Sequence, residues 1–121
     1  MSRKLLMNTD DPYNIDGMKV LTRGKNVEWD WETFPIIDNP NYWATVDPVT
    51  VVSGQEYRLT ADATWAWVVC YDDNDNFVFN VGSGDGNNPQ DYTFTAESNH
   101  IRFGIKDPEG QLTYFTIKAV R

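Results

Sequence analysis

The 121-residue sequence holds one cysteine and one histidine, and these two scarcities exclude a good deal. A lone thiol, Cys70, cannot form an internal disulfide, and its place in an apolar run marks it as buried and inert. His100 is the only imidazole and stands at a strand start beside Asn99, a surface setting. No nucleophile motif, metal-ligand spacing or phosphate loop is present, so the chain reads as a non-enzyme. Paired-carboxylate glycoside chemistry is the one catalytic class that eighteen acids leave open. Apolar runs are short: none approaches the ~18 residues of a membrane span. The opening MSRKLLMNTDD turns acidic after three apolar residues, too soon for a signal-peptide core. A soluble protein made in a cytoplasm, with no membrane insertion, is the expectation. Basic residues are also few. Ten against eighteen acids leave a net charge of −8, with no local Lys/Arg cluster, so nucleic-acid phosphates are repelled. That charge suits a neutral polar ligand, a cation or a basic protein partner.

Helical periodicity is lacking as well, and strand-like alternation takes its place. In residues 68–79, VVCYDDNDNFVF, two apolar runs flank five acidic or amide residues, which predicts a β-hairpin with a solvated turn. EYRLTAD (56–62) puts Tyr57, Leu59 and Ala61 on one face. TWAWVVCY (64–71) is apolar on both, as a central strand would be. YTFTA (92–96) alternates cleanly, HIRFGIK (100–106) turns Ile101, Phe103 and Ile105 inward, and TYFTIKA (113–119) does so with Phe115 and Ile117. Ser53-Gly54, the 82–89 loop and Asp107-Pro108-Glu109-Gly110 supply turn chemistry between them. Short strands so punctuated predict an all-β fold, an antiparallel two-sheet β-sandwich, jelly-roll-like. One domain, 1–121, is expected. Residues 1–40 supply outer strands and long loops: RKLLMN and MKVLTRG as strands, DDPYNIDG as a turn, and NVEWDWETFP as an alternating run. Pro35, Pro40 and Pro48 are expected to break the chain, and 41–121 forms the more regular part.

The entry VSGQEYRLT, the tyrosine–aspartate hairpin VVCYDDNDNFV, the strand pair YTFTAESNHIRFGI and the closing TIKAV resemble one family. They are similar to the β-sandwich domains of phage structural and tail proteins that look like carbohydrate-binding modules of the jelly-roll type. The opening RKLLMNTDD is similar to the N-L-L-x-N starts of such domains, with Lys4 in place of the asparagine. The resemblance implies a virion module of tail, baseplate or capsid, with host cell-surface carbohydrate and other virion proteins as partners.

Sugar recognition needs an apolar platform for the ring C–H face and fixed polar groups for its hydroxyls. Trp29 and Trp31, with Asp30 and Glu32 adjacent, form one candidate group. Tyr42 and Trp43, with Asn39 and Asn41, form another in a proline-broken segment. Trp65 and Trp67 share a face with Val69 and Tyr71 and are expected to pack in the core. Asp72, Asn74 and Asp75 place oxygens where calcium would want them, but the glycine and distal glutamate of a helix–loop–helix site are missing, so a solvated turn is the better account. Two other function classes remain beside adhesion. One is a small acidic phage protein that blocks a basic host protein; the other is a structural assembly domain whose exposed aromatics form a homo-oligomer interface.

Overall fold

The computed structural model describes residues 11–28, 30 and 32–120. Ten strands and one short 3₁₀ turn occur among them: β1 (Asn14–Asp16), the turn Gly17–Lys19, β2 (Thr22–Val27), β3 (Ile36–Ala44), β4 (Val49–Thr50), β5 (Glu56–Ala61), β6 (Trp65–Tyr71), β7 (Phe77–Gly82), β8 (Gln90–Thr95), β9 (His100–Lys106) and β10 (Phe115–Ala119). All pairings are antiparallel. One sheet has the order β1-β10-β5-β8; the other runs β2-β3-β9-β6-β7, with β4 also on β9. The two sheets pack face to face as a sandwich.

The core follows from the alternation. Tyr57, Leu59 and Ala61 of β5, Phe94 of β8, and Phe115 and Ile117 of β10 point inward from the first sheet; Ala66, Val68 and Cys70 of β6, with Ile101, Phe103 and Ile105 of β9, meet them from the second. Phe103 ties the layers together, packing edge-on against Phe94 (6.4 Å) and Phe115 (5.0 Å). Cys70 is fully buried, and burial pushes its thiol up from the ordinary value.

Long strand registers are closed by side chains. Between β3 and β4, buried Thr45 continues the ladder on β9: its N–H donates to the Phe103 carbonyl (3.1 Å) and its Oγ1 accepts from the Phe103 N–H (2.9 Å). Asp107, after β9, is 6 % exposed. Its carboxylate accepts from Trp43 Nε1 (2.8 Å), Gln111 N (2.8 Å) and Leu112 N (3.0 Å) and pairs with Arg23 (3.4 Å). Burial alone would raise the Asp107 pKa; these donors outweigh it and hold the group below the usual carboxylate range.

Several expectations about the first forty residues are corrected. The segment read as a turn, DDPYNIDG, contains β1, because Asn14–Asp16 finds the open edge of β10. MKVLTRG is not one strand: Asp16 caps a 3₁₀ turn over Gly17–Lys19, and the strand starts at Thr22. Pro40 does not break the chain. It lies within β3, where the β2 register jumps from Lys25↔Asp38 to Arg23↔Trp43, so the proline sits in a bulge that asks for no ladder N–H. The RKLLMN strand lies outside the described residues.

Candidate functional site

The outer face of the second sheet carries the chemistry that the core does not use. Directly paired residues on antiparallel strands share a face. Trp65↔Lys106, Trp67↔Gly104, Val69↔Arg102 and Tyr71↔His100 therefore all look away from the core, as does Tyr42 opposite Lys106. Trp65, Trp67, Val69 and Tyr71 do share one face, as read from sequence, but it is the outer one. The small and aliphatic set Ala66, Val68 and Cys70 faces inward instead, leaving room for the phenylalanines of the opposing sheet.

At one end of this face, Tyr42 and Trp67 form a tilted ring pair with centroids 5.6 Å apart. Trp67 lies over the bare backbone of Gly104: a Cβ there would meet Trp67 Nε1 at 2.5 Å and Asn26 Oδ1 at 2.9 Å. Both of those atoms are shielded and without a hydrogen-bond partner, a donor and an acceptor next to one another. Gly104→Ala is expected to cost about 1–3 kcal/mol by overpacking. Chemical denaturation measures the loss, and a shifted Trp67 indole N–H resonance locates it.

At the other end, the connection after β2 folds over the sheet. Asp30 shapes it, its carboxylate accepting from Glu32 N (3.0 Å) and Thr33 Oγ1 (3.2 Å) and its carbonyl from Phe34 N (3.1 Å). Phe34, at a left-handed φ of 47°, stacks on Phe77 (4.4 Å), and its carbonyl accepts from the Tyr71 hydroxyl (2.5 Å). With Val27, Ala44 and Val69 these rings form a second small core. Burial pushes the Tyr71 phenol up to about 12, against the pull of Arg102. Beside it opens a cleft of about 390 Å³, walled by Phe34, Pro35, Ile36, Val46 and Tyr71, with Arg102 and Asp75 as its charged groups.

The sequence-predicted candidates are placed as follows. Trp29 and Trp31 lie outside the described residues. Asp30 is occupied by its turn. Trp43 points inward opposite Ile105, packs against the main core, donates to Asp107, and has the Arg23 guanidinium 5.4 Å from its ring centroid, so its ring and its N–H are already engaged. Asn41 belongs to the β3 bulge, its N–H donating to Asn39 Oδ1 (3.0 Å) and its carbonyl accepting from Asp107 N (2.8 Å). Of the described residues in this set, Tyr42 alone joins the outer face of the second sheet.

The calcium candidates do not converge. Asp72 caps the hairpin turn, accepting from the N–H groups of Asn74 and Asn76 (both 2.9 Å), which lowers its pKa. Asp75 is turned away to Arg102. Among the described residues no group of three or more His, Cys, Asp or Glu is arranged for a metal ion. At a smaller cleft of about 280 Å³, lined by Gly84, Asp85, Pro89, Asp91 and Tyr92, the carboxylates are locally engaged: Asp85 accepts from Asn87 and Gln90, and Asp91 pairs with Arg58, while Gln90 Oε1, packed against Gly84, is shielded and without a hydrogen-bond partner.

Asn26, Trp67, Gly104 and Arg102 are the site residues that sequence reasoning missed. Their meeting is non-local, across β2, β6 and β9. One signal was available: Gly104 interrupts the otherwise bulky outward positions Arg102 and Lys106, as expected where another group must approach the backbone. No family model matches the chain, and no match is found among curated proteins or solved structures. No helix among the described residues is long and apolar enough to cross a membrane.

Proposed function

We propose that the chain is a non-enzymatic virion module that binds host-surface saccharide weakly and in many copies, using the outer face of the β2-β3-β9-β6-β7 sheet. The observation that carries this reading is the partly buried Tyr42–Trp67 pair with the partnerless Trp67 Nε1–H and Asn26 Oδ1 beside it. An apolar platform next to an idle donor and an idle acceptor is what a sugar ring with its hydroxyls complements. A buried polar group left unpaired costs about 1–3 kcal/mol, a debt that a ligand hydroxyl admitted by a small turn of the indole would cancel. The order β1-β10-β5-β8 of the four-stranded sheet, and the run β3-β9-β6-β7 within the six-stranded one, agree with a jelly-roll reading and so support the resemblance to carbohydrate-binding modules.

Magnitudes favour multivalency. Covering one tryptophan face removes ~80 Å² of apolar surface, worth about 2 kcal/mol. Two such contacts give a dissociation constant on the order of 1 mM, useful only when a particle presents many copies. One observation favours the assembly alternative: Phe79, on the edge strand β7, is 58 % exposed. The host-inhibitor alternative rests on net charge alone, since many described acids serve turns or pair locally with Lys25, Arg58, Arg23 and Arg102.

The test is binding of the labelled, multimerised domain to a panel of bacterial surfaces. Host-restricted binding is expected, competed by free oligosaccharide and reduced more than tenfold by Trp67→Ala in a folded variant, as about 2 kcal/mol per platform requires. A Trp29→Ala/Trp31→Ala double variant measures the share of those two rings. Binding to no surface rejects the adhesion reading.

A further inference from the structure

We propose that the cleft between the β2–β3 connection and β9 is a pocket for one neutral sugar ring, in which the Arg102–Asp75 pair reads two neighbouring hydroxyls. The proposal rests on the saccharide reading above and assigns a second subsite to the same face.

Arg102 is held more firmly than a surface arginine needs to be. It is 8 % exposed, its Nε donates to the Val46 carbonyl (2.9 Å), and its guanidinium lies 4.6 Å over the Tyr71 ring. Nη1 and Nη2 donate to the two oxygens of Asp75 at 2.5 and 3.2 Å. A guanidinium has five N–H groups, and these bonds use three. Asp75 is fixed in turn. It sits in the hairpin turn at a left-handed φ of 67°, its N–H donating to the Asp72 carbonyl (2.9 Å), and its side chain is 56 % exposed. Each carboxylate oxygen keeps lone pairs free. The pair therefore offers a spare N–H donor beside a spare oxygen acceptor, rigidly spaced.

Two hydroxyls on adjacent ring carbons complement that edge, one accepting from Arg102 and one donating to Asp75. The walls suit the rest of the ring: Pro35, Ile36 and exposed Val46 offer carbon to its C–H faces, Thr33 adds a hydroxyl at the rim, and buried Phe34 and Tyr71 support them from below. A volume of about 390 Å³ is at the small end for ligand pockets and admits one ring rather than a chain lying flat. Charge selects a neutral ligand. Asp75 already cancels the Arg102 charge, so a sugar acid would have to evict it and approach a chain of net charge −8.

The experiment is a ¹H–¹⁵N NMR titration of the full chain with the methyl glycosides of glucose, galactose, mannose and glucuronic acid. It follows the Arg102 Nε–Hε, the Val46 amide and the Trp67 indole N–H. At least one neutral glycoside is expected to move the Arg102 and Val46 signals. Val46→Trp, a change at an exposed wall position that plugs the cleft and leaves the ion pair alone, is expected to weaken that response roughly tenfold or more. Asp75→Ala is expected to abolish it while the rest of the spectrum reports an intact fold. Shifts at the Trp67 indole alone, unchanged by Val46→Trp, overturn the pocket and leave the saccharide face standing. A response of Arg102 to the glucuronide only, retained in Asp75→Ala, overturns the neutral-diol assignment in favour of carboxylate exchange. Silence to all four sugars removes both this pocket and the saccharide reading at these sites.

Discussion

Replacing Asp107 by alanine is expected to lower the unfolding free energy by about 3 kcal/mol. The carboxylate is a knot rather than a bridge. It receives Trp43 from β3, Arg23 from β2 and two backbone N–H groups of the turn after β9. Removing it strands the Trp43 indole N–H and the buried Leu112 N–H, and each unpaired buried donor carries its own penalty. Arg23 is a third exposed on its side chain and keeps its bond to the carbonyl of residue 107 (2.6 Å), so the lost ion pair itself is a small share. Asp107→Asn is expected to recover little, because an amide nitrogen would confront donors on at least one side. The pH dependence has a definite sign. The folded pKa of Asp107 is depressed, so its stabilisation is complete above the ordinary carboxylate range and is lost as pH falls through the folded value. Thermal melts of the parent should therefore decline below about pH 4, and the Asp107→Asn variant should decline less steeply over the same interval. Equal slopes in the two proteins would show that Asp107 carries no acid-labile stability.

Phe103→Ala is expected to be the most damaging core change, at about 4 kcal/mol. Its ring has no exposed surface and is the contact through which β9 of one sheet meets β8 and β10 of the other. Truncation removes two edge-to-face ring contacts and leaves a cavity between layers whose backbones are each fixed by their own ladders, so collapse is limited. A fall in melting temperature on the order of 15 °C is the corresponding thermal readout. Phe79→Ala makes the control. With its side chain mostly in solvent, it should shift the free energy by no more than about 0.5 kcal/mol. Similar losses from both variants, in parallel denaturant titrations, would mean that burial does not rank these rings.

Sequence periodicity carried the fold where one face of a strand is apolar. β5, β9 and β10 lie where their alternation predicts, with the inward residues named in advance. It failed in instructive ways elsewhere. β6 is apolar on both faces, and a two-sided pattern cannot say which face is the core; an otherwise apolar strand places the tryptophans in the core, yet the inner positions belong to Ala66, Val68 and Cys70. Asn14–Asp16 has turn-forming chemistry and became a strand because tertiary pairing with β10 overrode local preference. Proline at 40 was tolerated because the bulge removes the demand for a donor. Among the described aromatic candidates, the site was legible at Tyr42. Trp43 has the right chemistry in the wrong orientation, since one step along a strand reverses the face. Arg102 and Asp75 are 27 positions apart, and their pairing follows from sheet register, which spacing does not encode.

The β1–β10 pairing has a mechanical consequence. Asn14 lies opposite Lys118, so any chain joined before β1 and after β10 departs from neighbouring points at one sheet edge. Tension between those points pulls along the direction of the interstrand hydrogen bonds and breaks them one after another, instead of shearing them together. A pull on a domain tethered at both ends would peel off the three residues of β1 first, a soft release at one hem of the fabric. The outer face of the other sheet, where Trp67 and Arg102 stand, takes none of that load directly.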